Sequence, residues 1–176
     1  MDRIRVSGIL FLSAFVAYSV GTAIGNVPLI LLNSSIVIAI GGLLYPILAQ
    51  HDPGVAVIYL AARIAEGLLL GIGGIVGGTT ENTLYQVAMA TLGIGSIFLC
   101  LLLLRSLLVP AFLALWGLVG YAIFALGAIL ELAGVSGIGI WFSIPGGLFE
   151  VAFGLWLIVR GFAGTTKVLN PHTSPL

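Results

Sequence analysis

Apolar stretches of membrane length follow one another along almost the whole chain, separated by short polar or glycine- and proline-containing segments. Because a transmembrane helix needs about 20 mostly apolar residues, each stretch is long enough to cross a bilayer once. The predicted helices cover residues 4–24, 29–49, 55–76, 84–104, 110–132 and 139–160. We therefore predict an all-α, polytopic transmembrane bundle of six helices in residues 1–162, with a polar cytoplasmic tail at 163–176.

Composition supports a membrane protein throughout rather than a soluble domain with an anchor. The chain has 176 residues, of which 60% are hydrophobic and 7% charged, and its mean hydropathy is +1.26. A soluble domain has about 25% charged residues. Helices of this number leave no room for a soluble catalytic domain, and the net charge of zero gives no electrostatic basis for binding nucleic acid.

The charged residues of the loops predict an orientation. If six helices alternate, all basic residues except Arg63 fall on one side of the membrane, and the opposite loops have none. These residues are Arg3, Arg5, Arg105, Arg160 and Lys167. By the positive-inside rule we expect both termini in the cytoplasm, with the protein in the plasma membrane. The run from Ile4 to Ile24 is longer than the core of a signal peptide, so we interpret it as a retained first span.

The third predicted helix carries Arg63 and Glu66 inside an apolar segment. These residues are three positions apart and therefore share a helix face. A charge in hydrocarbon is unfavourable without a partner, so residues of this kind indicate a structural or functional role. The same face or its edge holds Tyr59 and the glycines Gly67, Gly71 and Gly74. We expect another helix, a cavity or a ligand to approach there.

The sixth predicted helix carries Glu150 and a Pro-Gly-Gly sequence. Residues 147–159 would extend about 20 Å as a helix, which is too short to cross a hydrocarbon core of about 30 Å. We therefore expect the span to begin near residue 139 and to be interrupted at Pro145 and Gly146. Interrupted helices often form binding sites, because their free backbone groups need partners. The alternative is that Pro-Gly-Gly is the loop end of a short helix.

Arg63, Glu66 and Glu150 are predicted to meet in the middle of the membrane if the third and sixth helices are neighbours. Counted along the helices, Arg63 lies roughly 12–14 Å from the inner end and Glu150 roughly 10–13 Å from the outer end. One interpretation is an ion network that only fixes helix packing. The other is a ligand or proton site in the outer half, because two acids and one base leave a carboxylate uncompensated.

The predicted roles follow from these positions. Arg63 would fix an anionic group or compensate the acids, and the two glutamates would accept hydrogen bonds or carry a proton. The glycines would give room for a ligand. Asn33 and Gln86 lie in the outer half and could reach the same cavity, whereas Tyr18 and Tyr85 are interpreted as ordinary packing or interface residues. Glu131 is expected at the membrane interface.

Several chemistries lack the residues that they require. Both histidines, His51 and His172, lie outside the predicted spans, which excludes a bis-His haem or an embedded histidine metal site. The only lysine, Lys167, is in the tail, so a retinal Schiff base within the bundle is excluded. Cys100 is the only cysteine, so no internal disulfide can form. We predict no cofactor and no metal.

The second half of the chain resembles a known family. The resemblance is carried by Arg105–Tyr121, Glu131–Leu132 and Pro145–Phe162, and extends upstream to Leu84–Gln86, Arg63–Glu66 and Ser7–Tyr18. These runs are similar to the bacterial integral-membrane family catalogued as domain of unknown function 4386. The resemblance implies a bacterial multi-helix membrane protein and brings no substrate or catalytic residue with it.

The leading functional hypothesis is binding or translocation of a small or lipid-like molecule between the third and sixth helices. One alternative is a structural or partner-binding membrane subunit without its own ligand. A third is a membrane enzyme that acts through Glu66, Glu150 and Arg63. Expected partners are membrane lipids and the ligand, and the small-residue helix faces leave open a homo-oligomer. Those faces contain Ser13, Ala17, Gly21 and Gly25, and Gly117, Gly120 and Gly127.

Overall fold

The computed structural model describes residues 3–163, and the predicted tail lies almost entirely outside them. The described residues form helices joined by short connections, without β-strands. The helices are α1 (Arg3–Ala23), α2 (Val27–Leu48), α3 (Pro53–Val76), α4 (Gly78–Ser106), α5 (Ala111–Leu132) and α6 (Gly139–Val159). All six are long and apolar enough to cross a membrane, so the predicted fold class is confirmed.

Local sequence signals account for the ends of the helices. Asn26 caps α2 by accepting a hydrogen bond from the Leu29 backbone N–H at 3.0 Å, and Asp52 caps α3 by accepting one from Val55 at 3.0 Å. Proline follows each capping residue within the first turn, where its missing N–H has no helical partner in any case. These two caps keep the connections before α2 and α3 short.

The connection between α3 and α4 is shorter than the sequence indicated. Residues 77–83 were expected to form a loop, but α4 begins at Gly78 and extends over 29 residues. The chain turns at Gly77, whose φ of 70° is in the region that glycine adopts readily. Glu81 then lies in the first turn of α4, where a carboxylate interacts favourably with the helix dipole.

The expected interruption of the sixth helix is wrong. Helix α6 runs from Gly139 to Val159 with Pro145 inside it. A proline removes one backbone donor and crowds the carbonyl one turn earlier, so only a single hydrogen bond near the start of α6 is lost. At this point α5 lies close to the backbone of α6, because a Cβ added to Gly120 of α5 would lie only 3.0 Å from the Pro145 carbonyl oxygen. Close packing against α5 thus accompanies the Pro-Gly-Gly sequence.

The helices form a closed ring. Each helix packs against the preceding and the following helix, and α1 packs against α6 to close the circle. Helices α3 and α6 therefore face each other across the ring and do not pack together. The condition that they be neighbours, on which the predicted site depended, is wrong. Only side chains that reach into the centre can join them.

Glycines bring neighbouring helices of the ring into close contact. An added Cβ at Gly8 of α1 would lie 2.5 Å from the Gly154 carbonyl oxygen of α6. At Gly21 it would lie 3.0 Å from the Leu29 Cβ of α2. These small residues therefore serve contacts within the ring.

The two halves of the ring differ in what fills the centre. In the half that contains the start of α1 and the end of α6, buried apolar side chains close the middle, including the rings of Phe11, Phe149 and Phe153. Phe149 stacks on Phe153, with ring centroids 5.4 Å apart. The other half, toward the α1–α2, α3–α4 and α5–α6 connections, contains a cavity.

Candidate functional site

A cavity of about 470 Å³ lies inside the ring, and all six helices contribute to its wall. This volume is in the range of small-molecule pockets. Its lining residues are Phe11, Ala14, Phe15, Tyr18, Ser19, Thr22, Asn33, Val37, Ile40, Arg63, Glu66, Leu70, Tyr85, Met89, Leu92, Tyr121, Phe124, Ile140, Ser143, Gly146, Gly147 and Glu150. Polar groups therefore line a central space within a very apolar protein.

Arg63 lies at the inner end of the cavity and is almost completely buried, with 1% of its surface exposed. Its Nε donates a hydrogen bond to the Tyr59 hydroxyl at 2.9 Å, and its Nη1 donates to Glu66 Oε2 at 2.7 Å. The guanidinium carbon also lies 5.0 Å from the centre of the Phe11 ring, a cation–π distance. Partners on α1 and α3 thus hold this charge in place.

Glu150 connects the opposite side of the ring to Arg63. Its Oε1 accepts a hydrogen bond from Arg63 Nη2 at 3.2 Å and another from the Tyr121 hydroxyl at 2.8 Å. The predicted meeting of Arg63, Glu66 and Glu150 therefore occurs, although across the ring rather than between adjacent helices. Tyr121 was missed as a site residue. The sequence signal that could have identified Tyr121 is its position in an apolar span, directly after Gly120 of the predicted close-packing face.

The two carboxylates keep unused acceptor capacity. Within residues 3–163, no hydrogen-bond donor pairs with Glu66 Oε1 or Glu150 Oε2. Both residues line the cavity, and the Glu150 side chain retains 24% exposure. One guanidinium against two ionised carboxylates leaves a formal charge of −1. The cluster can therefore accept a proton, a cation or a hydrogen-bond donor from the cavity.

The predicted glycines of α3 do not line the cavity. An added Cβ at Gly67 would lie 2.7 Å from the Ser34 carbonyl oxygen, and one at Gly74 would lie 2.8 Å from Ile30 Cγ2. Gly71 likewise faces Ser34. The expectation that they give room to a ligand is corrected, because they allow α2 to pack closely against α3.

The remaining predicted residues divide between the cavity and its surroundings. Gly146 is part of the cavity wall. Pro145 packs against Gly120 of α5, and Tyr59 lies behind Arg63 with no exposed surface. Glu131 accepts a hydrogen bond from the Gly139 backbone N–H at 2.8 Å, so it caps the start of α6.

Further polar side chains that surround the cavity have no side-chain hydrogen bond to any residue that the structure describes. Asn33 lines it with 3% exposure, and no partner for its amide is found in the described chain. Tyr18 and Tyr85 also line it, with ring centroids 5.8 Å apart and nearly parallel planes. These tyrosines were interpreted as ordinary packing or interface residues, because the sequence does not reveal that the two side chains meet across the ring. Gln86 is buried but is not part of the cavity wall.

The cavity opens toward the membrane between α1 and α6. All of its exposed lining residues belong to these two helices: Phe15, Ser19, Thr22 and Ile140. Phe15 is 51% exposed and Ile140 is 70% exposed. A side chain at Gly147 would meet only Phe15 Cε2, at 3.8 Å, whereas Gly8 and Gly154 bring the other ends of α1 and α6 into close contact. The two helices therefore diverge toward the cavity.

Six membrane-length helices closed around this polar cavity define a multi-pass integral membrane protein. The family model described as Domain of unknown function (DUF4386) matches residues 79–161, so the second half of the chain is similar to that family. The resemblance found in the sequence is thereby confirmed, and the upstream runs at Ser7–Tyr18 and Arg63–Glu66 lie outside the matched range. Searches of curated proteins and of solved structures each gave no match.

Proposed function

We propose that this protein binds, and by binding can translocate, a small or lipid-like molecule in the central cavity beside Arg63, Glu66 and Glu150. The observation that carries the proposal is the set of polar groups without partners inside the ring. The Asn33 amide and one oxygen of each carboxylate have no hydrogen-bond partner among the described residues, and all three residues line the cavity. Polar groups at membrane depth need partners, and a molecule bound in the cavity would supply them.

A purely structural ion network and a partner-docking subunit have less support. A purely structural ion network would not need carboxylate oxygens that are open to a cavity of about 470 Å³. A partner-docking subunit would keep its small-residue faces available on the outside of the bundle. Instead, Gly21 packs against α2, and Gly117 and Gly120 pack against α6.

The orientation of the cavity supports access from outside the cell. The described basic residues other than Arg63 lie at the end of the ring opposite the cavity: Arg3, Arg5, Arg105 and Arg160. By the positive-inside rule this end faces the cytoplasm. We therefore propose an inner-membrane protein with cytoplasmic termini and a site in the outer half of the bilayer.

Native mass spectrometry of the protein, extracted in dodecyl maltoside, tests the proposal with a matched pair of variants. Ser143 lines the cavity and Ser35 faces outward from α2, and each hydroxyl bonds only to its own helix. Ser143→Trp introduces a large side chain at the cavity wall, whereas Ser35→Trp adds the same bulk outside. We expect a co-purified small-molecule adduct on the wild type and on Ser35→Trp, and its loss from Ser143→Trp. No adduct on the wild type, or an equal adduct on both variants, contradicts the proposal.

A further inference from the structure

The guanidinium of Arg63 is already paired with protein groups. Each of its three nitrogens donates to a protein oxygen, at 2.9 Å to Tyr59, 2.7 Å to Glu66 and 3.2 Å to Glu150. The Phe11 and Tyr59 rings lie 5.0 and 5.4 Å from the guanidinium carbon. An anionic ligand would therefore compete with two carboxylates for this charge. Of the two roles predicted for Arg63, the geometry favours compensating the acids.

The groups that remain open to the cavity favour a positively charged ligand. Glu66 Oε1 and Glu150 Oε2 are acceptors only, and their cluster has a formal charge of −1 when both are ionised. An incoming cation would neutralise the cluster, whereas an anion would raise its charge to −2 in a medium of low dielectric. The Asn33 amide oxygen is a further acceptor in the same wall.

Aromatic rings around the cavity favour the same kind of ligand. The stacked Tyr18 and Tyr85 rings and the Phe124 ring are part of the wall, near the carboxylates of α3 and α6. The faces of such rings attract cations, and pockets that recognise substituted ammonium groups are commonly built from them.

The opening between α1 and α6 indicates the rest of the molecule. Phe15 and Ile140 are apolar and exposed where the cavity meets the membrane, while Ser19 and Thr22 add hydroxyl groups along the edge. An apolar chain attached to a ligand in the cavity could leave through this opening into the hydrocarbon without entering water.

We infer that the ligand is an amphiphile with one positive charge, an alkylammonium or protonated amine, whose head lies between Glu66 and Glu150. Its apolar chain passes between α1 and α6. This inference rests on the proposed function, because it names the chemical class of the molecule bound in that cavity. In the competing state the cavity holds no ligand, and one of the two carboxylates is protonated. That state would leave the Asn33 amide without a partner.

The test compares two probes with the same apolar chain, decyltrimethylammonium and decyl sulfate. The full chain, in dodecyl maltoside, is titrated with each probe, and bound probe is counted by native mass spectrometry. We expect decyltrimethylammonium to bind at least about tenfold more tightly, because only its head carries a charge opposite to that of the carboxylates. Glu150→Gln should weaken that binding about tenfold. It should remain folded, because its amide oxygen can still accept from Tyr121 and Arg63.

Glu81→Gln is the matched control, since Glu81 lies at the same end of the ring but outside the cavity wall. It should bind decyltrimethylammonium like the wild type. A different outcome is that decyl sulfate binds as tightly as decyltrimethylammonium or more tightly, and that Ser143→Trp removes that binding. This result would overturn the cationic class of the ligand and leave the proposed function intact. If Ser143→Trp reduces the binding of neither probe, this inference is overturned. If the wild type also carries no co-purified adduct, the proposed function is overturned as well.

Discussion

Arg63 and Glu150 contact each other at 3.2 Å across the centre of the ring, although the helices that carry them do not pack together. The contact spans the cavity at its inner end, and Tyr121 holds the same glutamate oxygen from α5. Three helices are thus linked by side chains that also form the wall of the proposed site. Changes to this network should affect both stability and binding.

Removing the guanidinium should destabilise the protein strongly. Arg63→Met leaves Glu66 and Glu150 without their shared cation, and breaking a buried pair in this way costs about 3–5 kcal/mol. Arg105→Met is the control, because Arg105 is exposed at the end of α4. The free energy of unfolding in mixed micelles measures the difference. Similar stability of the two variants would show that the network is not a structural support.

The α3 glycines should act on stability through α2. Gly67→Ala places a Cβ 2.7 Å from the Ser34 carbonyl oxygen, so we expect a loss of about 1–3 kcal/mol from overpacking. Gly42→Ala adds the same atom to α2 where nothing lies within 4 Å, and it should be neutral or slightly stabilising. Thermal unfolding in detergent compares them. If Gly67→Ala kept full stability but lost the bound adduct, these glycines would belong to the site after all.

Partial closure of the opening between α1 and α6 should slow ligand entry. Gly147→Leu places a side chain next to Phe15, where the backbone leaves space for it. We expect the association rate of decyltrimethylammonium to fall on the order of tenfold, a typical range for variants of one binding site. Gly42→Leu carries the same change on an exposed part of α2 and should associate at the wild-type rate. Unchanged association with Gly147→Leu would exclude this route.

The orientation is tested by thiol labelling in intact cells. Thr79 at the start of α4 and His51 in the α2–α3 connection are exposed at opposite ends of the ring. A membrane-impermeant maleimide should label Thr79→Cys directly and His51→Cys only after permeabilisation. The wild type is the background control, since its single cysteine, Cys100, is buried. The reverse labelling pattern would place the cavity in the cytoplasmic half.

Much of the fold could be predicted from hydropathy, because each span must be apolar over the thickness of a bilayer. The number of helices, their positions along the chain and most of their ends follow from that requirement. The start of α4 was missed because polar Thr79 and Glu81 resemble a loop, whereas Gly77 and Gly78, both with positive φ, make the turn by themselves. The continuous α6 was missed because Pro145 removes only one hydrogen bond, which a long helix tolerates.

The charged part of the site could also be predicted, because Arg63, Glu66 and Glu150 are conspicuous within apolar spans. What the sequence did not provide is the order of the helices around the ring. That order decides that the α3 glycines face α2 and that Tyr18 meets Tyr85 at the cavity. Tyr121 joins Glu150 for the same reason, and no local pattern records such a contact between distant helices.

The central claim is that the cavity beside Arg63, Glu66 and Glu150 is an occupied binding site. The most direct measurement is an electron cryomicroscopy or crystal structure of the protein extracted from its membrane in lipid nanodiscs without added ligand. The account predicts elongated non-protein density that contacts Glu66 Oε1 or Glu150 Oε2 and the Asn33 amide. A cavity that contains only separate water peaks, with the Arg63 network unchanged, would contradict it.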